Sequence, residues 1–316
     1  MRLQPATYRR ITIASLIALS VIVVSGGAVR LSGAGLGCDD WPNCNSQRLI
    51  DVSTAHAAIE QLNRLFTGVV ALAVMAAVLG SLIRAPRRRD LTWWSIGLVA
   101  GVIGQIILGG ITVLVRLHPV AVQGHFLLSM VLIANATVLV RRAGEPDGVK
   151  RVRAVSNQAL WLVRSIVLVL IVALFTGTLV TGTGPHAGDP DSPRFGFDIS
   201  NVARLHGVSV MATIALALAL AWIISKRRSD QMQLRQPLGL WMFVAIMQAV
   251  VGYVQYFSAV PEILVGVHLL GATLLTIVTF QLWLSTARPE GVQIASMTLA
   301  AEPELIKNSS GAQALS

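Results

Sequence analysis

The chain has 316 residues, 54% of them hydrophobic and 13% charged, with a net charge of +10 and a mean hydropathy of +0.68. Soluble domains carry roughly a quarter charged residues, so this composition excludes an ordinary soluble fold. Crossing about 30 Å of hydrocarbon takes about 20 apolar residues in a helix, and eight such runs occur: residues 11–31, 55–83, 93–117, 120–140, 161–182, 201–225, 238–257 and 263–285. The first follows a basic stretch, but its apolar length exceeds that of a signal h-region, and it reads as an uncleaved first helix. The expected fold is an all-α integral membrane protein of eight transmembrane helices.

Loop charges set the expected orientation. Arg9 and Arg10 precede helix 1, Arg84 and Arg87 to Arg89 follow helix 2, and Arg141, Arg142, Lys150, Arg151 and Arg153 follow helix 4. Lys226, Arg227, Arg228 and Arg235 are read as the loop after helix 6. These are alternate loops, so the positive-inside rule places both termini in the cytoplasm and assigns the basic clusters to the bilayer, not to nucleic acid. The opposite loops carry Asp39, Asp40, Asp51, Asp189, Asp191 and Asp198 and face outward. The two cysteines, Cys38 and Cys44, fall in the first outward loop, where an oxidising compartment predicts a disulfide. The tail from 289 to 316 is polar and aperiodic and is expected to be disordered.

An internal repeat organises the rest. Gly124-His125 with the following Leu127-Leu128 resembles the segment around His268 with Leu269-Leu270, at an offset of 143. Gln105 and Gly109 in helix 3 match Gln248 and Gly252 in helix 7 at that offset, and Asn63 in helix 2 falls opposite His206 in helix 6. Helices 1 and 5 align less tightly, through residues 31–35 against 180–184. Two pseudo-symmetric four-helix bundles are therefore expected, residues 1–145 and 146–288. With four helices per half, the repeat is parallel, unlike the inverted repeats of many transporters.

All six histidines, His56, His118, His125, His186, His206 and His268, fall in the expected outer half. Ionisable groups inside the hydrocarbon are costly and normally face a bundle interior, where they serve function. A lone histidine there can be a neutral ring bonded to a carbonyl. His206 and His268, on alternate helices at one depth, instead suit two axial ligands of a heme for electron transfer. The N-terminal half keeps His125 but has Asn63 where the second ligand would stand, so one axial position is open. Glu60, one turn outward of Asn63, is either catalytic or the i,i+4 ion-pair partner of Arg64.

Several motifs resemble the heme A synthase family. These are GGAVRLSGAGLGC at 26–38 followed by DWPNC at 40–44, Ile59-Glu60 through Asn63-Arg64-Leu65, LGGITVL at 108–114, Leu117-His118-Pro119, and TGPHAGD at 183–189. The resemblance runs from Gly26 to about Leu270. It implies heme b in the C-terminal bundle on His206 and His268, and a substrate heme O held in the N-terminal bundle by His125. Glu60 is then the essential acid, and Arg64, His118 and His186 are further heme-contacting candidates. Many members carry histidine where this chain has Asn63; His56 substitutes as ligand only if its helix end bends inward. The implied reaction oxidises the C8 methyl of heme O to a formyl group, giving heme A for terminal cytochrome oxidases. Implied partners are heme O synthase, cytochrome oxidase assembly proteins, an electron donor and membrane lipid, with the protein in the plasma membrane and its heme sites near the outer face. The competing readings are a b-type cytochrome that only transfers electrons, which needs no Glu60, and a polytopic transporter, which binds no heme.

Overall fold

The computed structural model describes residues 2–291. It contains eight helices: α1 (Pro5–Leu31), α2 (Ala55–Ile83), α3 (Arg89–Leu114), α4 (Pro119–Ala143), α5 (Asn157–Thr183), α6 (Ile199–Ser225), α7 (Arg228–Phe257) and α8 (Glu262–Leu284). All eight are long and apolar enough to cross a membrane. Large apolar side chains such as Leu72, Ile103, Leu168, Val208 and Phe243 point outward, as expected where the surrounding solvent is lipid and only the helix satisfies the backbone.

Lipid gives apolar side chains little reason to leave it, so close packing and interhelical hydrogen bonds must hold such helices together, at about 0.6 kcal/mol per bond. Tyr8 Oη meets Ser95 Oγ at 2.9 Å between α1 and α3. Ser15 Oγ donates to the Ala73 carbonyl at 3.0 Å between α1 and α2, and Trp241 Nε1 donates to Thr279 Oγ1 at 2.7 Å between α7 and α8. Among α1 to α4, each helix packs on the next and α4 returns to α1; α5 to α8 close in the same way, and α8 meets α1 and α4. Buried apolar residues gather in two large clusters, one around Leu91, Leu98, Ile133 and Leu139 and the other around Val163, Ile166, Leu220 and Trp241, with a small third at Cys38, Cys44 and Ala57.

Helix limits differ from the hydropathy runs for a consistent reason. Hydropathy marks the hydrocarbon, whereas helix hydrogen bonding continues beyond it. Thus α7 starts at Arg228, ten residues before the expected 238, and the link from α6 is only Lys226-Arg227. Arg228 and Arg235 are helical, not loop residues. The added turns are rich in good helix formers and are anchored by buried Asp230, which accepts the Ser156 N–H at 2.9 Å and Oγ–H at 2.6 Å. Similarly, α1, α3 and α5 begin four to six residues early.

By contrast, α3 stops at Leu114, three residues short of expectation, because Arg116 and Leu117 turn left-handed at φ 53° and 56°. The Leu117 N–H then bonds back to Thr112 O at 2.8 Å. Ala259 and Val260 do the same after α7, both at φ 58°, with the Val260 N–H on Gln255 O at 2.9 Å. Each of these residues lies 143 positions from its counterpart. The repeat therefore extends into two sterically costly turns that side-chain similarity does not reveal.

After α8 the chain folds back. β2 (Ala287–Pro289) pairs antiparallel with β1 (Arg151–Arg153), Val152 facing Arg288, and Arg151 Nη2 donates to the carbonyls of Leu284 and Ala287. The expected start of a disordered tail at 289 is thus wrong for Pro289, which is tied into this ribbon. The tail beyond 291 lies outside the described residues.

Candidate functional site

Two positions in each half share one level near the cysteine-loop end. His125 and His268 each lie six residues into their helices, about 9 Å deep at roughly 1.5 Å per residue. Asn63 and His206 lie eight and seven residues into α2 and α6. Each faces a glycine on the preceding helix. A Cβ on Gly109 would sit 3.4 Å from His125 Cε1, one on Gly252 3.1 Å from His268 Cε1, one on Gly177 3.1 Å from His206 Cε1, and one on Gly26 3.9 Å from Asn63 Nδ2. Bare α-carbons leave these side chains room to turn toward the interior of their half.

The repeat also governs how the rings are supported. Gln105 Nε2 donates to the His125 carbonyl at 3.0 Å, and Gln248 Nε2 donates to the His268 carbonyl at 2.9 Å. On the other side, His206 Nδ1 lies 3.0 Å from the Ala173 carbonyl and 3.3 Å from Thr176 Oγ1. A carbonyl only accepts, so Nδ1 carries the proton and the Nε2 lone pair is free to bind a metal. In the N-terminal half, Ser25 Oγ donates to Asn63 Oδ1 at 2.8 Å.

These pairs correct the alignment of helices 1 and 5. Ser25 matches Thr176 and Gly26 matches Gly177, an offset of 151, where residues 31–35 against 180–184 imply 149. The larger value follows from loop length: 23 residues join α1 to α2, and 15 join α5 to α6. Gly26, Gly177, Ser25 and Thr176 are site residues that sequence reasoning missed. Their signal was hidden because the inserted residues shift the register of the first helix pair away from the other three.

Glu60 is 6% exposed and both its oxygens are engaged. Oε2 accepts the Cys38 N–H at 2.8 Å, and Oε1 accepts Arg64 Nε and Nη2 at 3.0 and 2.7 Å. Arg64 Nη1 reaches the carbonyls of Asn43 and Asp40 at 3.0 and 3.2 Å. The ion pair expected from the i,i+4 spacing is therefore formed, and it seats the loop closed by the Cys38–Cys44 disulfide on α2. Trp41 from this loop covers α3 at Gly110, where a Cβ would collide with the indole, and lies 5.6 Å from the Arg64 guanidinium.

The remaining histidines are peripheral. His56 is exposed in the first turn of α2, seven residues outward of Asn63. His118 caps α4, with its Nδ1 accepting the Val120 N–H at 3.4 Å. His186 donates from Nε2 to the Val260 carbonyl at 2.7 Å and its Nδ1 lies 3.8 Å from Glu262, pinning the α5–α6 loop to the left-handed turn after α7.

Does this arrangement suit an iron porphyrin? The rings of His206 and His268 have centroids 6.4 Å apart at 76°. An iron–imidazole bond of about 2.0 Å plus about 1.2 Å from nitrogen to ring centre, taken twice, gives about 6.4 Å. Nδ1 of His125 and of His268 lie buried beside Gly109 and Gly252, without a hydrogen-bond partner among the described residues. No three His, Cys, Asp or Glu side chains converge among the described residues; a porphyrin iron needs only one or two from the protein. The residues present fit a heme, which His206 and His268 would hold in the C-terminal half and His125 in the N-terminal half.

Residues 9–280 match a family model described as cytochrome oxidase assembly protein. Similar curated proteins are named heme A synthase. The one from Listeria welshimeri is 26% identical over 278 residues, covering 84% of this chain and 90% of the relative. That from Lysinibacillus sphaericus is 24% identical over 188 residues, covering 57% and 60%, and that from Exiguobacterium sibiricum 24% over 167 residues, covering 52% and 56%.

Proposed function

The chain belongs to the cytochrome oxidase assembly protein family, and from that premise we propose that it is a heme A synthase, oxidising the C8 methyl of heme O to the formyl group of heme A. The observation that carries this reading is the 6.4 Å separation of His206 and His268, repeated in the other half as a single imidazole, His125, with an equivalent glutamine behind it. One half then binds a resident heme b, and the other a heme that arrives, reacts and leaves. A heme b held by two imidazoles supplies electron transfer.

The chain's own residues divide the work. Thr176 and the Ala173 carbonyl fix the His206 tautomer. Gln105 and Gln248 hold the backbone beneath His125 and His268. Glu60, the catalytic acid in this reading, is held still by Cys38 N–H and Arg64 at the mouth of the N-terminal half, where it manages protons or stabilises positive charge developing on the substrate. The disulfide loop with Trp41 covers that mouth and limits access of water. The two halves form bundles of residues 1–145 and 146–288. Both termini are cytoplasmic, the arginine-rich end faces inward and the heme sites lie near the outer face of the plasma membrane. Heme O synthase would supply the substrate, and oxidase assembly proteins would take the product.

Extracting the hemes of the purified protein and separating them by chromatography tests the proposal. Heme B together with O and A types is expected. Heme B alone, unchanged when the host supplies heme O, would leave an electron-transferring b-type cytochrome as the function.

A further inference from the structure

The two halves are built on one plan, and they differ at the residue that would close the iron's second face. His206 stands there in the C-terminal half, Asn63 in the N-terminal half, and their surroundings correspond: Thr176 and Ser25 support them, Gly177 and Gly26 lie alongside. An amide is a poor iron ligand. No other group at this level can replace it. The facing stretches are IVVSGGAVRL in α1 (22–31), IEQLNRLFT in α2 (59–67) and QIILGGITVL in α3 (105–114). They contain no histidine, methionine, cysteine or tyrosine. Their one carboxylate, Glu60, is bound to Cys38 N–H and Arg64, and His56 is exposed about two turns outward.

The Asn63 amide is also oriented. Ser25 Oγ donates to Oδ1 at 2.8 Å, which engages the acceptor of the amide. Nδ2, which has no protein partner among the described residues, is left beside the bare α-carbon of Gly26. A side chain serving only to fill a vacated ligand position would be apolar here, because an unpaired amide in the hydrocarbon is costly. The amide instead carries a free donor at the position that His206 holds in the other half.

We propose that the N-terminal site of this chain is an open coordination site for a small exogenous ligand of water or diatomic size, with iron held by His125 alone and Asn63 Nδ2 donating a hydrogen bond to the bound ligand. The proposal rests on the reading that a heme binds on His125. It makes Asn63 a positioning residue, and Ser25 the group that sets its direction. The C-terminal half, closed by His206, binds no such ligand.

Carbon monoxide on the reduced, full-length purified protein is the probe. In the wild type about half of the heme should bind it, and the remainder should stay low-spin. Asn63→His should abolish carbon monoxide binding while heme content is kept. Asn63→Leu, similar in size but without a donor, should keep binding, raise the C–O stretching frequency and speed dissociation several-fold. Absence of carbon monoxide binding by wild type at two hemes per chain overturns the open site, and an unshifted stretch in Asn63→Leu overturns the hydrogen bond. His125→Ala separates the two levels of argument. If it keeps both hemes and the same carbon monoxide fraction, no heme sits on His125, and the functional proposal itself fails.

Discussion

The loops that cover the two halves differ more than the helices beneath them. Between α1 and α2 run 23 residues with a disulfide, a tryptophan laid over α3 and a Glu60–Arg64 pair fastening the loop down. Between α5 and α6 run only 15, secured by His186 on the Val260 carbonyl. Below them the backbone design is shared down to its left-handed turns. The contrast teaches where a duplicated bundle acquires a reaction. The two halves share histidine, glutamine and glycine positions, which the proposed function assigns to heme binding, and differ at the mouth and at Asn63 against His206. In the proposed function the C-terminal half, with His206 and His268, is the electron-transfer site, and the N-terminal half, with His125 and Glu60, is the one that binds and releases substrate.

The largest expected effect breaks the C-terminal half alone. His206→Ala or His268→Ala removes an axial ligand, so the low-spin heme spectrum should vanish and total heme should fall to about half or less. His125→Ala should leave that spectrum in place. Optical spectra with a heme assay on purified protein distinguish the two; equal losses from all three variants would dissolve the division of labour.

Next is the carboxylate. Glu60→Gln should lower heme A formation by about 10²-fold or more, with heme O or a hydroxylated intermediate accumulating and the C-terminal heme retained. The counterpart of Glu60 at the 143 offset is Ala203, and Ala203→Glu should not move the product ratio. Heme A at wild-type level from Glu60→Gln would leave Glu60 as a loop anchor only.

Arg64→Ala probes that anchoring. Breaking a largely buried pair, with side chains 16% and 7% exposed, should cost on the order of 3 kcal/mol, seen as a lower thermal unfolding midpoint and faster reduction of the Cys38–Cys44 bond. An unchanged midpoint would mean the loop is held by its disulfide and Trp41 instead.

The smallest effect sharpens the comparison at the glycines. Gly252→Ala places a Cβ 3.1 Å from the His268 ring, and Gly109→Ala places one 3.4 Å from His125. The first should weaken heme retention a few-fold and the second hardly at all. The reverse order would contradict the packing of these rings.

Much of this was legible before any coordinates. Eight helices followed from hydropathy, and the 143 offset aligned three helix pairs because His125, Gln105 and Gly109 are chemically distinctive against an apolar background. The first helix pair was misaligned for the opposite reason: serine, threonine and glycine are common in membrane helices, and the longer α1–α2 loop moved them out of register. The start of α7 escapes a hydropathy reading because Arg228 to Gln236 are too polar to belong to an apolar run, although they are helical. The i,i+4 spacing of Glu60 and Arg64 left an ion pair as one of two readings, and the pair is formed; that Arg64 also gathers the carbonyls of Asp40 and Asn43 depends on a loop conformation no periodicity encodes. His56 is not decided by sequence, since its place in the first turn of α2 leaves its burial open and only the structure shows it exposed.

The account's central claim is tested most directly by expressing the chain in a membrane that makes heme O but no heme A, then extracting and chromatographing the hemes. Heme A should appear with the wild-type chain and disappear with His125→Ala, while that variant retains the heme b of the C-terminal half. Heme O left unconverted by well-folded, heme b-loaded wild-type protein, with an electron donor competent for the C-terminal heme present, would contradict it.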